Sequence, residues 1–293
     1  MIQLKQDEKH QLFECRPFIK WAGGKTQLLY YLHKKIPSSF NRYFEPFLGG
    51  GAMFFHLVNS QNCKFDAYLS DINSELINTY NMIVNNVDEL IKTLKGYQYE
   101  YKKSPTKFYY NLRTKTTHSS SLEKAARFIT LNKTCYNGLY RVNKKGLFNV
   151  PIGRYKNPII CDDENLKNVS KILQMHKIKI LSIDYKKILL EAKEDDFVYL
   201  DPPYKPTSIT ANFTSYTNNG FTDNDQKDLA KIFKDLANRK CKVLLSNSNT
   251  PYILDLYNEF SDNIKLVAVS RLINSKSSYR LGYKELLISN YTN

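Results

Sequence analysis

The architecture of this 293-residue chain can be worked out from Tyr43-Phe44-Glu45-Pro46-Phe47-Leu48-Gly49-Gly50-Gly51. The apolar start predicts a short buried strand and the glycines predict a turn, after which Ala52-Met53-Phe54-Phe55-His56-Leu57 has the composition of a helix. Glycine lets the backbone approach a ligand closely, and a strand, turn and helix in this order usually seat a nucleotide-like cofactor. The segment therefore predicts an α/β sheet with a ligand-binding edge.

A carboxylate lies where such a cofactor needs one. Asp71 closes the next predicted strand, Tyr68-Leu69-Ser70, and it follows the glycines by roughly 20 positions, where an acidic side chain accepts hydrogen bonds from ribose hydroxyls. The glycines do not match the spaced dinucleotide pattern G-x-G-x-x-G. The sequence therefore predicts a cofactor with a single adenosine.

A second motif, Asp201-Pro202-Pro203-Tyr204, directly follows the apolar run Phe197-Val198-Tyr199-Leu200. The prolines stiffen the turn and lack N–H groups, so the Pro202 carbonyl can point at a ligand beside the Asp201 carboxylate. Two acceptors and the aromatic face of Tyr204 suit the exocyclic amine of a nucleobase that has left its duplex, which indicates methylation of a base amine. The pattern is also ordinary turn chemistry, and this motif alone leaves that alternative open.

A third motif, near the start, is Trp21-Ala22-Gly23-Gly24-Lys25-Thr26, in which the chain's only tryptophan and a lysine flank a glycine pair. The G-K-T ending is shared with phosphate-binding loops, but the P-loop pattern requires a further glycine where this chain has Ile19. The alternative, a plain turn before a helix, leaves the flanking tryptophan and lysine unexplained. This segment is therefore a candidate part of the ligand site.

The charge balance predicts a polyanionic partner. Lysine and arginine total 43 against 28 acidic residues, which gives a formal net charge of +15, the electrostatic footprint of a nucleic-acid-binding protein. Five scattered cysteines without a CxxC pair, and five isolated histidines, predict reduced thiols in a cytoplasmic protein and no metal site. No apolar stretch approaches the roughly 18 residues of a membrane span, and the polar start is not a signal peptide.

Strands and helices alternate along most of the chain. One long amphipathic helix is predicted from Leu76 to Ile91, and Ser120 with Glu123 forms a capping box for another. Further strands are predicted near 178–183, 197–200, 243–246, 266–269 and 286–289, with a helix at 226–238. The segment 74–161, rich in lysine, arginine, tyrosine and asparagine, interrupts the sheet after its second strand. It predicts a target-recognition domain, inserted into a catalytic domain formed by 1–73 and 162–293.

With the three motifs in this order, the chain resembles the Dam-type DNA adenine-N6 methyltransferases, in the group whose cofactor motif precedes the catalytic one. Further matching segments are residues 70–73, 135–141, 148–155, 212–216 and 245–248. The resemblance implies a Rossmann-like S-adenosylmethionine-dependent methyltransferase sheet with an inserted, mainly helical recognition domain. It also implies a site-specific enzyme that methylates the N6 amine of a flipped adenine in double-stranded DNA.

The resemblance also assigns site residues. S-adenosylmethionine would be bound through Trp21, Lys25, Asp71 and Asp201, with Glu45, Phe47 and Gly49 lining the same cleft. The positions that match the family's catalytic motif are Asp201, Pro202, Pro203 and Tyr204. The amine attacks poorly because its lone pair is delocalised into the purine ring, so acceptors that draw on its protons, with accurate positioning, would provide most of the catalysis.

The positions that match DNA contacts of the family are Lys20, Tyr136, Asn137, Leu139, Arg141, Pro151, Arg154 and Tyr155. Arg141 can make the bidentate contact to guanine, and Tyr136 can stack into the gap left by a flipped base. The alternatives are a phosphate contact for Arg141 and a core position for Tyr136. The resemblance implies GATC as the site. The polar loop 205–222 is predicted either to close over the DNA or to be a disordered surface loop, and the basic loop 275–280 either to contact phosphate or to be a solvated turn.

Alternative functions stay open at this point. A pair of acceptors serves any exocyclic amine, so an enzyme acting on RNA adenine or on the N4 amine of DNA cytosine fits the same motif. A DNA-binding protein without catalysis is disfavoured because Asp201 and Tyr204 are both present. A monomer suffices for one adenine at a time. A restriction endonuclease that shares the site would be a functional partner and not a physical one.

Overall fold

The computed structural model describes residues 14–21, 23–25, 28–61, 65–115, 120–175, 177–204, 221–269 and 283–292. The matching segment 212–216 and the predicted loop 275–280 lie outside these residues, as does the predicted loop 205–222 apart from its last two positions. Ala22 and Thr26 of the third motif also lie outside them.

The described strands form one seven-stranded sheet. They are β1 (Arg42–Glu45), β2 (Asp66–Ser70), β3 (Ile178–Leu181), β4 (Phe197–Leu200), β5 (Lys242–Ser248), β6 (Ile264–Val269) and β7 (Tyr283–Ser289). Their spatial order is β3-β2-β1-β4-β5-β7-β6, in which the first five run parallel and β7 is antiparallel to both β5 and β6. The carboxyl ends of the five parallel strands therefore meet at one edge, where α/β sheets bind ligands.

Helices cover both faces of the sheet. Their bounds are α1 (Leu29–His33), α2 (Ala52–Gln61), α3 (Ser74–Asn85), α4 (Val87–Lys103), α5 (Pro105–Thr114), α6 (Ser121–Thr134), α7 (Asp163–Gln174), α8 (Tyr185–Ile188), α9 (Asp223–Asn238) and α10 (Pro251–Leu256). In β4, Phe197 and Tyr199 join the buried cluster on one face, while Val198 and Leu200 join the cluster on the other. A strand buried on both faces reads as an unbroken apolar run, which is why its bounds could be predicted.

One predicted element is wrong, because the long helix from Leu76 to Ile91 is two helices. Asn86, between α3 and α4, has φ −144° and ψ 38°, and its N–H ends α3 by donating to the Met82 carbonyl. The helix α4 then begins at Val87, and Asp88 and Glu89 lie in its first turn, where acidic side chains stabilise a helix N-terminus. The apolar spacing continues across the break, so periodicity alone did not reveal it. The cap at Ser120 is confirmed, since its side chain accepts from the Glu123 N–H.

The helices α3 to α6 lie between β2 and β3 in the chain. One cluster of buried side chains includes both strand residues such as Leu69 and insertion residues such as Leu94 and Ile129. The inserted helices therefore pack as a continuation of one face of the sheet, and the domain boundary at 74–161 stays a prediction. Among the described helices, none has the length and apolar content needed to cross a membrane.

Candidate functional site

Three carboxylates lie at the carboxyl ends of three adjacent strands. Glu45 ends β1, Asp71 follows β2 and Asp201 follows β4. Because β2, β1 and β4 are neighbours and parallel, the sheet brings all three to the same edge. Lys25, from the third motif, forms an ion pair with Asp201 there. The balance of charge among these groups is negative, which suits a cationic ligand.

Asp201 is oriented by two donors that share one oxygen. Lys25 Nζ lies 2.8 Å from Oδ1, and Ser246 Oγ donates to the same atom at 2.8 Å. The surrounding protein raises the pKa of Asp201 by desolvation, and the charge of Lys25 opposes that rise. Within the part of the chain that the structure describes, Oδ2 receives no hydrogen bond. The carboxylate is thus held in place with one oxygen left to accept from a ligand.

The turn after β4 is fixed by side chains from distant elements. Gln226 Nε2 donates to the Pro203 carbonyl at 3.1 Å, and Asn247 Nδ2 donates to Gln226 Oε1 at 3.0 Å. No described residue donates to the Pro202 carbonyl, so this oxygen and Asp201 Oδ2 are two available acceptors one residue apart in the chain.

The aromatic face of the motif is also held from both sides. The Tyr204 hydroxyl donates to Glu285 Oε2 at 2.8 Å, and Lys25 Nζ lies 4.6 Å from the centre of its ring. Lys25 Nζ also donates to the Gly23 carbonyl at 2.7 Å, which ties the ammonium to its own turn. The motif thus offers two acceptors and an oriented ring at one place.

The glycine turn and Asp71 form a second part of the site. Gly49 N–H and Asn73 N–H donate to Asp71 at 3.0 and 2.9 Å, one to each carboxylate oxygen. Burial raises the pKa of Asp71, and these backbone hydrogen bonds oppose the rise. Gly49 has φ +48°, and a Cβ there would lie 2.6 Å from Cδ1 of Trp21. Only glycine fits this position, and each Asp71 oxygen keeps a lone pair for a ligand hydroxyl.

Two further residues that are predicted to line the cofactor cleft, Glu45 and Phe47, are buried or half-buried. Glu45 is buried, with 2% of its surface exposed, and accepts from the Tyr43 hydroxyl at 2.8 Å. Desolvation raises the pKa of Glu45 to about 8, so it holds a proton at neutral pH. Phe47 is half-buried and its ring lies 5.0 Å from that of Tyr185 and 6.0 Å from that of Phe221.

Trp21 connects the sheet edge to the inserted helices. Its ring stacks on Tyr140 at 5.8 Å and on Phe128 at 6.2 Å, with interplanar angles of 25° and 28°. Tyr140 in turn donates to Glu75 Oε2 at 2.8 Å. The tryptophan that the sequence singled out is therefore shared between the glycine turn and the insertion.

The predicted DNA contacts lie around a tight turn after α6. Tyr136 begins the turn with 41% of its surface exposed, and its N–H donates to the Pro151 carbonyl at 2.9 Å. Asn137 has φ 54°, and the Leu139 N–H closes the turn onto the Tyr136 carbonyl. An exposed aromatic side chain on a fixed turn is in keeping with stacking and not with a core position.

Arg141 is braced by the hairpin that follows. Its Nε donates to Asn149 Oδ1 at 2.7 Å and its Nη2 donates to the Asn149 carbonyl at 3.3 Å. A guanidinium has five N–H donors, so donors remain for a bidentate contact. Among the described residues, no hydrogen bond or ring contact joins Arg141 to Lys20 or Tyr155.

A basic cleft of about 460 Å³ lies beside this turn. Lys20 Nζ sits 3.9 Å from the centre of the Tyr155 ring, and Arg154 lines the same cleft. Lys133 and Lys156, which the sequence did not single out, line it as well. The cleft suits phosphate groups.

Sequence reasoning also missed Ser246, Gln226 and Glu285 as residues of the candidate site. The sequence carried a signal at the end of β5, because the polar residues Ser246, Asn247 and Ser248 directly follow an apolar run. In the structure these three residues are at most 1% exposed. Three polar residues that end a buried parallel strand mark a ligand-binding edge. Glu285 gave no comparable signal.

Comparison with known proteins gives consistent results. The family model described as "D12 class N6 adenine-specific DNA methyltransferase" matches residues 21–272. "Type II methyltransferase M.MjaIII" of Methanocaldococcus jannaschii is 45% identical over 293 residues, which covers 95% of this chain and 100% of the relative. "Type II methyltransferase M1.LlaDCHI" of Lactococcus lactis subsp. cremoris is 44% identical, with 95% and 96% covered. "DNA adenine methylase" of Haemophilus influenzae is 34% identical, with 98% of each chain covered.

Proposed function

The chain belongs to the D12 class N6 adenine-specific DNA methyltransferases, and we propose that its target is the adenine of GATC, flipped out of double-stranded DNA into the pocket at Asp201 and Tyr204. The observation that carries the catalytic part is the pair of available acceptors, Asp201 Oδ2 and the Pro202 carbonyl. An adenine amine has two hydrogens, and each acceptor can receive a hydrogen bond from one of them. Tyr204 provides the surface on which the purine stacks.

Family membership implies S-adenosylmethionine-dependent chemistry, and the residues at the sheet edge fit this molecule. Asp71 retains acceptor capacity for ribose hydroxyls, and Gly49, where a Cβ would clash with Trp21, lets the turn pack closely against the Trp21 ring. The negative edge matches a cation. S-adenosylmethionine, when bound, supplies a methyl group that its sulfonium charge already activates.

The residues of the chain then act on the amine. The amine donates hydrogen bonds to Asp201 and to the Pro202 carbonyl. These acceptors increase the electron density on the amine nitrogen, so its lone pair stays available for attack. Ser246 and Lys25 fix the direction of the carboxylate, so little reorganisation is needed when the base arrives. A raised pKa makes Asp201 a better acceptor for the proton that the amine loses. Glu45, which is protonated and buried at the end of β1, is proposed to line the cofactor cleft.

Recognition of GATC is proposed for the turn after α6 and the neighbouring cleft. Arg141 reads a guanine with its remaining donors, while its bonds to Asn149 hold the guanidinium plane. Lys20 meets the first guanine, Tyr136 fills the gap left by the adenine, and Arg154 with Tyr155 holds the flanking backbone. Asn137, Leu139 and Pro151 shape the turn that presents these groups.

We also propose that the enzyme acts as a monomer. The buried, unbridged thiols of Cys135 and Cys241 support a further proposal, that it acts in the cytoplasm. The relatives named as Type II methyltransferases support the expected functional partner, a restriction endonuclease that shares the site.

The test is methyl transfer from labelled S-adenosylmethionine to duplex oligonucleotides. The set comprises GATC, each single-base variant of it, GATC with its adenine already methylated, and the matching RNA duplex. We expect transfer only to unmodified GATC. Transfer to a different DNA site would refute the assignment of the reading residues and leave the acceptor pair standing. Transfer to the premethylated duplex would refute adenine as the target.

A further inference from the structure

We infer that Asn132 is a positioning residue for sequence discrimination, because its side-chain amide ties the cofactor-side segment to the turn that reads DNA. This inference rests on the proposed function, in which Lys20 and the turn at Tyr136–Gly138 contact the target site. Asn132 itself is buried, and its side chain acts through Lys20 and Gly138.

The amide of Asn132 uses its oxygen and both its hydrogens. Its Oδ1 accepts from the Lys20 N–H at 2.8 Å, and its Nδ2 donates to the Lys20 carbonyl at 2.6 Å and to the Gly138 carbonyl at 3.1 Å. The side chain is 2% exposed, so water does not replace these bonds. One amide has a single acceptor oxygen and two N–H groups, and each is engaged. No other side chain of similar size supplies this set.

The two backbones that Asn132 joins are in tight contact. Gly138 has φ +64°, and a Cβ there would collide with Cβ of Lys20. A shift of either backbone therefore moves the other. The Lys20 ammonium then reaches the Tyr155 ring, at 3.9 Å, so the same contact sets the position of a proposed DNA-reading group.

The segment also leads to the cofactor side. Trp21, the next residue, stacks on Tyr140 and lies beside Gly49, and Lys25 pairs with Asp201. The amide of Asn132 thus stands between the sheet edge that binds cofactor and the turn that carries Tyr136. A buried amide at this junction therefore fixes the position of the Lys20 backbone relative to the Gly138 backbone, in addition to stabilising the fold.

The chain contains a matched control for a purely structural role. Asn165, in α7, clamps Arg16 in the same two-way manner, by accepting from its N–H at 3.1 Å and donating to its carbonyl at 3.0 Å. It is 3% exposed and anchors the same segment. Among the described residues, Asn165 makes no hydrogen bond to the turn after α6. A loss that appears in Asn132→Ala but not in Asn165→Ala therefore reports the link to that turn.

The experiment compares wild type, Asn132→Ala, Asn165→Ala and the milder Asn132→Ser. Two quantities are measured for each protein: kcat/KM on GATC and on its single-base variants, and DNA affinity for the same duplexes without cofactor, by fluorescence anisotropy. Thermal unfolding of each protein reports the structural loss. Binding without cofactor separates recognition from catalysis, and Asn132→Ser supplies the comparison if the alanine variant does not fold.

We expect both alanine variants to lose comparable thermal stability. The ratio of cognate to single-base-variant binding should fall about tenfold in Asn132→Ala, the size of one misplaced base contact, and stay within about twofold in Asn165→Ala. Equal ratios in the two variants would overturn the inference. A wild type that prefers a sequence other than GATC would refute the proposed site alone, and the ratio for that sequence would then decide the role of Asn132. A wild type without any preference would overturn both.

Discussion

Replacing Glu45 by Gln should change how the free energy of unfolding depends on pH. Glu45 is 2% exposed, and the Tyr43 hydroxyl donates to it at 2.8 Å. Desolvation is the main cause that raises the pKa of Glu45 to about 8, with the neighbouring charge of Asp201 acting in the same direction. Gln has the shape of the protonated carboxyl group but binds no further proton.

The sign follows from the proton balance of the two states. The unfolded chain loses this proton near pH 4.3, the usual pKa of glutamate, whereas the folded protein keeps it until about pH 8. The stabilisation due to Glu45 is therefore complete below about pH 4 and is lost as the pH rises towards 8. Within this window the stabilisation due to Glu45 falls by about 1 kcal/mol per pH unit. From pH 5.5 to 7.5, the free energy of unfolding of wild type should fall by about 2 kcal/mol more than that of Glu45→Gln.

The assay is urea unfolding of both proteins at pH 5.5, 6.5 and 7.5. Asp71 and Asp201, whose pKa values are also raised, contribute to the pH dependence of both proteins, so the difference between the two proteins reports mainly Glu45. Glu100→Gln, at a surface residue that pairs with Lys103 at 2.9 Å, reports the effect of charge removal alone. If the free energy of unfolding of wild type does not fall relative to that of Glu45→Gln between pH 5.5 and 7.5, the reasoning is refuted.

Three further predictions concern catalysis and recognition. Asp201→Asn should lower single-turnover methyl transfer about a hundredfold or more, with DNA affinity unchanged; near-normal transfer would contradict the acceptor role. Ser246→Ala should lower kcat by about tenfold with little change in KM, because Asp201 Oδ1 keeps only Lys25 as a donor; an unchanged kcat would show that Ser246 does not orient the carboxylate. Arg141→Ala should relax preference at one guanine by about 1–3 kcal/mol in competition assays; uniform weakening across all sequences would instead identify a phosphate contact.

The parts that sequence predicted best are those in which local pattern and fold agree. The run at 197–200 is apolar on both faces and is stopped by two prolines, so β4 has the predicted bounds. Asp71 and Asp201 were expected at strand ends, and parallel pairing brings strand ends together without further information. The break at Asn86 was hidden because the apolar spacing runs through it.

The partners of these residues were not predictable in the same way. Ser246 and Lys25 reach Asp201 from β5 and from the start of the chain, and Glu285 reaches Tyr204 from β7. Such contacts depend on the spatial order of strands, which no local pattern encodes. The pKa of Glu45 depends on burial in the same way, because the glycine motif gives no measure of how much protein covers the carboxyl group.

The asparagine clamps on the segment before Lys25 have a consequence for how the protein is made. Cys15, Arg16 and Lys20 are held by side chains that lie 44, 149 and 112 positions further along the chain. Contacts of such separation form slowly, since a long loop must close before they stabilise anything. The segment leaves the ribosome well before its anchors, and Lys25 waits longer still for Asp201. In a nascent chain the ion pair between Lys25 and Asp201 can therefore form only after residue 201 has been synthesised, long after the segment that carries Lys25.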